Sequence, residues 1–375
     1  MDTESSKPTD KKDDCIPTIE RIEIGLSDSQ WWVRNQWARR KDFIPTPEQV
    51  ERGLTDARAE VRSAWASRTD FTPTPEQIER GLTDTCVEVR YAWAERTDFT
   101  PAPEQIERGL TDEEDIVRRQ WSQRMDYTPA PQQIERGLQD KYWGVRQAWA
   151  ERMDFTPTYA QVETGLQDSE VGVRKAWAVR TDYTPTHSQV QRGLQDIYLW
   201  VRILWVQRMD FTPTFQQIED GLTDADWDIR KLWISRLDFT PTPKQIERGL
   251  TDVDWNVVQA WSRRMDFIPT PEQVERGLCS TVNVVRIAWA QRMDYTPTAE
   301  QVDRGLTDDD PRVVQAWLAR SDIEWTEEQI ARGLQHTDAD IRSAWENIQR
   351  CKIEADTLIS NDDVFHISDQ CHMNL

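Results

Sequence analysis

The sequence predicts an all-α solenoid of twelve two-helix repeats, and two observations carry that prediction. A Gly-Leu pair recurs every 28 residues without a slip, from Gly25 to Gly333, and a tryptophan follows each of these glycines by twelve residues, from Trp37 to Trp345. A fixed period of this length is the signature of a repeat architecture, in which each unit buries its apolar face against its neighbours. No alternation of period two runs through the unit, so we expect no strand.

The period divides the chain into three parts. Residues 1–16 are polar and mixed in charge, which is typical of a disordered segment. Residues 17–350 hold the twelve repeats, and the first and last of these are irregular, as terminal repeats of arrays commonly are. Residues 351–375 have lost the period, and we interpret them as a C-terminal tail or cap.

The first helix of a repeat, helix A, is predicted from the run Thr46-Pro47-Glu48-Gln49. The threonine caps the helix, the proline takes its first position, and the glutamine completes a capping box. Val50 and Leu54, four residues apart, give helix A one buried edge. Gly53 has two possible roles. It adopts a left-handed conformation at the end of helix A, or its lack of a side chain lets a neighbouring helix approach closely.

The second helix, helix B, is predicted to be capped by Asp56 and to run to about Arg68. At about 100° per residue, Val61, Ala64 and Trp65 share one face of this helix. We therefore interpret the repeated tryptophan as a core residue. A stacking platform for nucleobases would need an exposed stripe of aromatic side chains instead.

The repeat resembles two families of helical repeat proteins. The run Leu82-Thr83-Asp84, followed by Val89-Arg90 and Ala92-Trp93-Ala94, resembles the second half of a HEAT-type repeat. The Thr-Pro-Glu start, the short first helix and the compact unit resemble the leucine-rich repeat variant family more closely. The resemblance spans residues 17–350 and implies a right-handed α-solenoid. It also implies a ladder in which each helix-B arginine reaches the aspartate region of a neighbouring repeat, and it implies little about activity.

Two rows of arginines follow the repeat. In ten of twelve repeats an arginine follows the helix-B valine, beginning with Arg34, and an aspartate precedes helix B in ten repeats. A second row near the end of helix B, which includes Arg40, Arg68 and Arg96, has an aspartate two residues on. A row of guanidinium groups is one way to bind phosphate. Because each arginine has an acidic partner at hand, we interpret both rows as structural.

Charge and composition narrow the function classes. A net charge of −21 disfavours binding to nucleic-acid backbone and is compatible with a basic partner or with imitation of a nucleic acid. The five cysteines are off the repeat frame, which argues against a disulfide framework and predicts a reducing, cytoplasmic location. No apolar run approaches the roughly 18 residues of a membrane span. The N-terminus lacks the apolar core of a secretory signal.

Catalytic and metal-binding motifs are not evident. The sequence lacks a Gly-rich phosphate loop, a His-Glu-x-x-His pair and a Gly-x-Ser-x-Gly elbow. His366, Cys371 and His372 could hold a metal, but their loose spacing is more typical of coincidence. We therefore expect no catalytic residue, no metal and no cofactor.

The informative positions vary while the frame stays constant. They are the sixth, tenth and fourteenth residues after each repeated glycine, which share one face of helix B. This face is opposite the buried one, so we expect it to be exposed, and its aromatic residues are typical of interaction hot spots. Together with their immediate neighbours, they give our candidate partner-binding residues: Trp31, Tyr91, Trp143, Gln147, Tyr198, Trp200, Ile203, Trp227, Lys231, Trp255 and Gln259.

The leading hypothesis is a non-enzymatic scaffold that binds a macromolecule through these residues, most readily a protein with a basic surface. One alternative is a nucleic-acid-related protein: an acidic DNA mimic that acts as a counter-defence factor, or a direct reader that uses the arginine rows. A second alternative is an enzyme on a HEAT-like frame, as some DNA-repair glycosylases are. A third is a mainly structural spacer. The sequence decides neither the partner nor the oligomeric state.

Overall fold

The structure is a computed structural model and describes residues 17–359 of the chain. Over this range it contains 24 α-helices and no strand. The chain divides into two compact units, Met1–Thr184 and Pro185–Leu375, and this border falls between the sixth and seventh repeats. The predicted all-α repeat fold is confirmed. Residues 1–16 and the end of the predicted C-terminal segment, 360–375, lie outside the described range.

Each repeat contributes one helix A followed by one helix B. In unit 1 the helices are α1 Ile19–Leu26, α2 Trp31–Ala38, α3 Pro47–Leu54, α4 Ala59–Ala66, α5 Pro75–Leu82, α6 Val87–Glu95, α7 Pro103–Leu110, α8 Asp115–Gln123, α9 Pro131–Leu138, α10 Trp143–Glu151, α11 Tyr159–Gly165 and α12 Val171–Val179. In unit 2 they are α13 His187–Leu194, α14 Leu199–Gln207, α15 Phe215–Leu222, α16 Trp227–Ser235, α17 Pro243–Leu250, α18 Trp255–Arg263, α19 Pro271–Leu278, α20 Asn283–Ala290, α21 Ala299–Leu306, α22 Pro311–Leu318, α23 Glu327–Gly333 and α24 Ala339–Ile359. Within each unit, every helix B packs against helix A of its own repeat and helix B of the next.

Helix A begins as the sequence predicts. At α3 the Thr46 hydroxyl accepts a hydrogen bond from the Gln49 backbone N–H, 3.3 Å away, and the Gln49 side chain accepts one from the Thr46 N–H at 2.9 Å. Pro47 holds the first helical position, and Val50 and Leu54 are buried. The capping box therefore sets the start of the helix, and the apolar pair sets its buried edge.

The predicted cap of helix B is wrong. Helix α4 begins at Ala59, its N-cap residue is Arg58, and it ends at Ala66. Asp56 lies two residues before the cap and accepts a hydrogen bond from the Arg58 backbone N–H at 2.9 Å. The turn between the helices is thus two residues longer than predicted. The Asp56 carboxylate is left to bind Arg34 of the preceding repeat.

The repeated glycine and tryptophan form one contact. Gly53 lies inside α3, and a Cβ atom built on it would lie 2.1 Å from Nε1 of Trp65 on the helix B of the same repeat. The equivalent distance lies between 1.9 and 2.2 Å in all twelve repeats. Close approach is therefore the correct interpretation of this glycine. The group that approaches is an indole ring, which is almost fully buried from Trp65 onward, as the sequence predicts.

Within each unit, the first arginine row crosses from one repeat to the next where the ladder arginine is present. Arg90 donates two hydrogen bonds to the Asp112 carboxylate, 2.7 and 2.8 Å long, and a third to the Asp84 carbonyl of its own repeat at 3.0 Å. The pairs of this ladder in unit 1 are Arg34–Asp56, Arg62–Asp84, Arg90–Asp112, Arg118–Asp140 and Arg146–Asp168, and those in unit 2 include Arg202–Asp224, Arg230–Asp252 and Arg286–Asp308. The structural interpretation of this row is confirmed.

From Arg68 onward the second arginine row is buried, and within each unit it points back to the preceding repeat. Arg96 donates hydrogen bonds to the carbonyls of Ala66 at 2.9 Å and Phe71 at 3.1 Å, and a further one to the Arg68 carbonyl. Its guanidinium lies 4.5 Å from the centre of the Phe71 ring and pairs with Asp98. These contacts satisfy carbonyls at the end of the preceding helix B, which have no partner within their own helix. The row is structural, and it is a core element rather than a surface one.

The cysteines correct one expectation. Cys86 and Cys279 are free thiols, whereas Cys351 is disulfide-bonded. The prediction was that the chain has no disulfide framework, so the bonded Cys351 corrects it only at this one cysteine, and the cytoplasmic location stays a prediction. Cys15 and Cys371 lie outside the described residues, as do His366 and His372. No helix in the described range is long and apolar enough to cross a membrane.

Candidate functional site

The candidate residues lie on the helix-B face, but only some of them are exposed. Trp143, Tyr198, Trp200 and Trp255 have between 40 and 65% of their surface exposed. The remaining seven are half-buried: Trp31, Tyr91, Gln147, Ile203, Trp227, Lys231 and Gln259. The expectation of a fully exposed stripe is thus wrong for these seven. Each helix B has a neighbouring helix B, so the strip that faces solvent is narrow.

In unit 1 the candidate residues lie on three helices, α2, α6 and α10, that do not adjoin one another. Trp31 on α2 lies under the Arg58 guanidinium of the next repeat, 5.8 Å from it. Tyr91 on α6 packs against the apolar core. On α10 the Trp143 ring lies 5.6 Å from the ring of Tyr142, and Gln147 donates a hydrogen bond to Glu151. These residues do not form one site.

Unit 2 brings its candidate residues together on α14, α16 and α18, which pack side by side. On α16 the Lys231 ammonium lies 5.7 Å from the centre of the Trp227 ring, a distance at which cation and ring attract one another. Trp255 and Gln259 lie one turn apart on α18, next to them. Trp200 and Ile203 lie on α14, and Tyr198 caps that helix. This cluster is the candidate site.

A groove runs between α16 and α18 below the cluster. It encloses about 570 Å³, a size that falls within the range of ligand pockets. One wall carries Lys231 and Ser235, and the other carries Gln259 and Arg263. The predicted sixth, tenth and fourteenth positions thus do not form a flat stripe. The tenth and fourteenth positions of two successive repeats face one another across a groove.

The same groove occurs between α2 and α4 in unit 1, where it encloses about 370 Å³. The two grooves share a floor of one alanine and one buried arginine with its aspartate: Ala64, Arg68 and Asp70 in unit 1, and Ala260, Arg264 and Asp266 in unit 2. Their other linings differ. In the register of the repeat, Arg39, Lys41, Ser63, Ser67 and Thr69 in unit 1 correspond to Ser235, Leu237, Gln259, Arg263 and Met265 in unit 2.

A row of exposed apolar residues, which the predicted site residues do not include, follows helix B in six repeats, and two of its members, Leu237 and Met265, line the unit 2 groove. This row lies at the end of helix B, between the buried arginine and its aspartate. Its apolar members are Met125 and Met153 in unit 1 and Met209, Leu237, Met265 and Met293 in unit 2, each at least 46% exposed. The signal was available, because five of the seven methionines in the chain occupy this one place in the repeat.

The charges in the unit 2 groove differ from those of the whole chain. Lys231 and Arg263 line it, and the one carboxylate among its lining residues, Asp266, is bound to Arg264. The hydrogen bond from Arg264 holds the pKa of the Asp266 carboxyl below its usual value, against the opposing effect of burial. The groove is therefore locally cationic in a chain of net charge −21.

The described residues contain no cluster of His, Cys, Asp and Glu that could hold a metal ion. Because the chain has residues beyond the described range, the expected absence of a catalytic or metal site stays a prediction.

Comparison of the chain with known protein families and with curated proteins finds no match. One similar solved structure is described as "a leucine-rich repeat variant with a novel repetitive protein structural motif". It is 25% identical to this chain, covers 58% of it and 80% of its own length, and has a TM-score of 0.42. The successive helix pairs of the chain give it an all-helical, solenoid-like repeat fold. The chain is similar to a leucine-rich repeat variant.

Proposed function

We propose that this protein is a non-enzymatic scaffold that binds a protein partner in the helix-B groove of unit 2. The docked segment carries apolar side chains that cover Leu237 and Met265. Its backbone carbonyls accept hydrogen bonds from Lys231 and Gln259. A basic surface elsewhere on the partner is attracted by the net charge of the chain.

The observation that carries this proposal is the recurrence of one groove with different linings. Its floor of alanine, arginine and aspartate is the same in unit 1 and unit 2, while the residues that line its walls differ in charge and polarity. Repeat proteins obtain specificity in this way, because a constant frame supports side chains that vary from repeat to repeat.

The row of exposed apolar residues that includes Leu237 and Met265 of the groove adds a second reason. Met209, Leu237, Met265 and Met293 repeat at one place in four successive repeats of unit 2, all exposed. Solvent-exposed apolar side chains that follow one line mark interaction surfaces, and methionine adapts its shape to a partner. Trp255 adds a large aromatic group on the same helix face, of the kind that dominates binding energy in interfaces.

A direct reader of nucleic acid has less support. The arginines that would contact phosphate donate hydrogen bonds to aspartates and backbone carbonyls of neighbouring repeats. Phosphate binding would have to break these buried pairs, which is costly.

Affinity capture from native lysate with nuclease present tests the proposal. The groove variant is Trp200→Ala/Leu237→Ser/Trp255→Ala/Met265→Ser, and the matched control is Ile44→Ser/Val253→Ser, which also removes exposed apolar side chains but away from this groove. Circular dichroism checks that both remain helical. We expect a protein that wild type and control capture and the groove variant loses.

Retention of the same proteins by the groove variant would show that the groove is not the binding surface. Capture of protein only when nuclease is omitted would favour a nucleic-acid role.

A further inference from the structure

The helix-A side of the repeats carries a bridge that recurs along unit 2. Glu247 of one repeat accepts hydrogen bonds from Gln273 and Arg276 of the next, both at 2.9 Å. Glu275 accepts the equivalent pair from Gln301 and Arg304, also at 2.9 Å. The bridge thus consists of one acid on the earlier repeat, and one amide with one guanidinium on the later repeat.

The step from the seventh to the eighth repeat has lost this bridge. Gln191 stands in the place of the glutamate, and Asp220 stands in the place of the arginine, so both charged members are replaced. The third member, Gln217, is kept. It is 2% exposed, and its carbonyl oxygen accepts a hydrogen bond from the Thr214 backbone N–H at 2.9 Å.

The amide nitrogen of Gln217 has no hydrogen-bond partner among the described residues. A buried donor without a partner costs about 1–3 kcal/mol, so such groups usually mark a place that something else fills. Gln217 lines a cavity of about 400 Å³, together with Gln191, Asp220 and Asp224. The unpartnered donor and the missing bridge therefore coincide at one cavity.

The Asp224 carboxylate of the cavity is also less firmly held than its counterpart one repeat later. Arg202 lies 3.1 and 3.2 Å from the two Asp224 oxygens, whereas Arg230 lies 2.8 and 2.7 Å from those of Asp252 one repeat later. Asp220 accepts a hydrogen bond from the Gln216 amide at 2.7 Å, with no arginine at this place in its repeat. The cavity thus offers acceptors for a cation where nine of the other eleven repeats place their own arginine.

We propose that this cavity binds an arginine side chain of a partner peptide. The guanidinium takes the place of the missing arginine and donates to the Asp220 and Asp224 carboxylates. A backbone carbonyl oxygen of the same peptide accepts a hydrogen bond from the side-chain amide of Gln217. Arginine suits the site better than lysine because its planar group donates to two carboxylates at once.

This site is distinct from the helix-B groove, since its lining residues lie on α13 to α16 and in the turns after α13 and α15. It therefore goes beyond the proposed function, and the two proposals succeed or fail separately. The net charge of −21 favours the approach of a cationic ligand to the carboxylates of this cavity.

Titration calorimetry on the full chain with N-acetyl-L-arginine amide tests the proposal. The matched probe is N-acetyl-L-citrulline amide, which has nearly the same shape but no positive charge. We expect the arginine probe to bind at one site and the citrulline probe to bind at least tenfold more weakly, because the charge-assisted hydrogen bonds are lost. Equal affinity of the two probes, or no binding of the arginine probe at millimolar concentration, would overturn the proposal.

The chain itself supplies the decisive variant. Gln191→Glu/Asp220→Arg rebuilds the bridge of the neighbouring repeats, so it is expected to fold with a Tm at or above that of wild type and to lose at least tenfold in affinity for the arginine probe. Asp220→Asn removes the charge with little change in shape and should also weaken binding. The control variant Ile44→Ser/Val253→Ser, outside this cavity, should leave it unchanged. Unchanged affinity in a folded Gln191→Glu/Asp220→Arg variant would place the probe elsewhere.

Discussion

Arg230 of the eighth repeat donates two hydrogen bonds to Asp252 of the ninth, 2.8 and 2.7 Å long. One repeat later the same two places hold Val258 and Ser280, so the arginine and its acceptor are replaced together. A half-buried guanidinium without its acid is costly, and a half-buried acid without its guanidinium is equally so. The two positions therefore behave as one unit, although 22 residues separate them in the chain.

The same joint replacement occurs a second time, at Val314 and His336. These are the two repeats in which the ladder arginine is missing, and in both the acceptor of the next repeat is missing as well. The pairing seen in the structure explains why.

Restoring an arginine–aspartate pair at positions 258 and 280 should reveal the coupling free energy between the two side chains. We expect Val258→Arg alone to destabilise the protein, because its guanidinium has no acid to bind. The double variant Val258→Arg/Ser280→Asp should recover that loss, with a coupling of about 1–3 kcal/mol in a double-mutant cycle. Denaturant unfolding of wild type, both single variants and the double variant measures it. A coupling below about 0.5 kcal/mol would mean that the arginine–aspartate ladder does not stabilise the protein.

The repeated glycine gives a second prediction. In Gly165→Ala the new Cβ would lie 1.9 Å from Nε1 of Trp177, and the buried indole has no room to move. We expect a loss of about 3 kcal/mol in the free energy of unfolding.

Gly172, in the same repeat, is the matched control. A Cβ there would meet the Gln147 side-chain oxygen, 2.6 Å away, at the end of a flexible side chain. Gly172→Ala should therefore stay within about 1 kcal/mol of wild type, because better helix propensity offsets the small shift. Equal loss in the two variants would remove the special role assigned to the Gly165–Trp177 contact.

Much of the fold could be predicted from the sequence, because similar capping and core residues recur at the same spacing along the repeats. The Thr46 and Gln49 capping box and the buried Trp65 follow from spacing alone. The predicted start of helix B at Asp56 is wrong, since a carboxylate two residues before the N-cap and one at the N-cap look alike in sequence. What distinguishes them is Arg34, which belongs to another repeat.

The candidate site was harder to predict, for a different reason. Periodicity tells which face of helix B a residue such as Lys231 or Gln259 occupies, but not how close the next helix B lies. The half-burial of that face and the groove depend on this distance between repeats. The exposed row that includes Leu237 and Met265 follows the buried arginine, where the helix ends, and helical periodicity says nothing about that place.

The buried arginine row gives a third prediction. Arg292 is 1% exposed and donates hydrogen bonds to the carbonyls of Ser262 at 3.0 Å and Phe267 at 3.1 Å, in the preceding repeat. Arg292→Met should cost about 3–5 kcal/mol, because it leaves Asp294 and these carbonyls without their donor.

Arg40 holds the same place in the first repeat, where it is exposed and pairs with Asp42. Arg40→Met should therefore cost no more than about 1 kcal/mol. Thermal or denaturant unfolding compares the two variants, and a small loss in both would contradict the role of this row as a link between repeats.

Two partly buried tyrosines predict a loss of stability at alkaline pH. Burial raises the pKa of Tyr127 and of Tyr295 to about 12, and each hydroxyl donates a hydrogen bond of 3.0 Å to a tryptophan carbonyl. In the unfolded chain a tyrosine ionises near pH 10. Between pH 10 and 12 the folded state therefore binds more protons than the unfolded state, so each rise in pH favours unfolding. The contribution is intact below pH 10 and is lost as the pH passes through 12.

The variant Tyr127→Phe/Tyr295→Phe isolates this effect, because the repeat accepts phenylalanine at the same place, as at Phe99 and Phe267. We expect the free energy of unfolding to fall less steeply from pH 10 to 12 in the variant than in wild type, by an amount on the order of 2 kcal/mol per tyrosine. Lysines that titrate in this range are common to both proteins and cancel in the comparison. Parallel pH profiles would show that these hydroxyls ionise as easily in the folded protein as in the unfolded chain, and burial would then not be what holds them neutral.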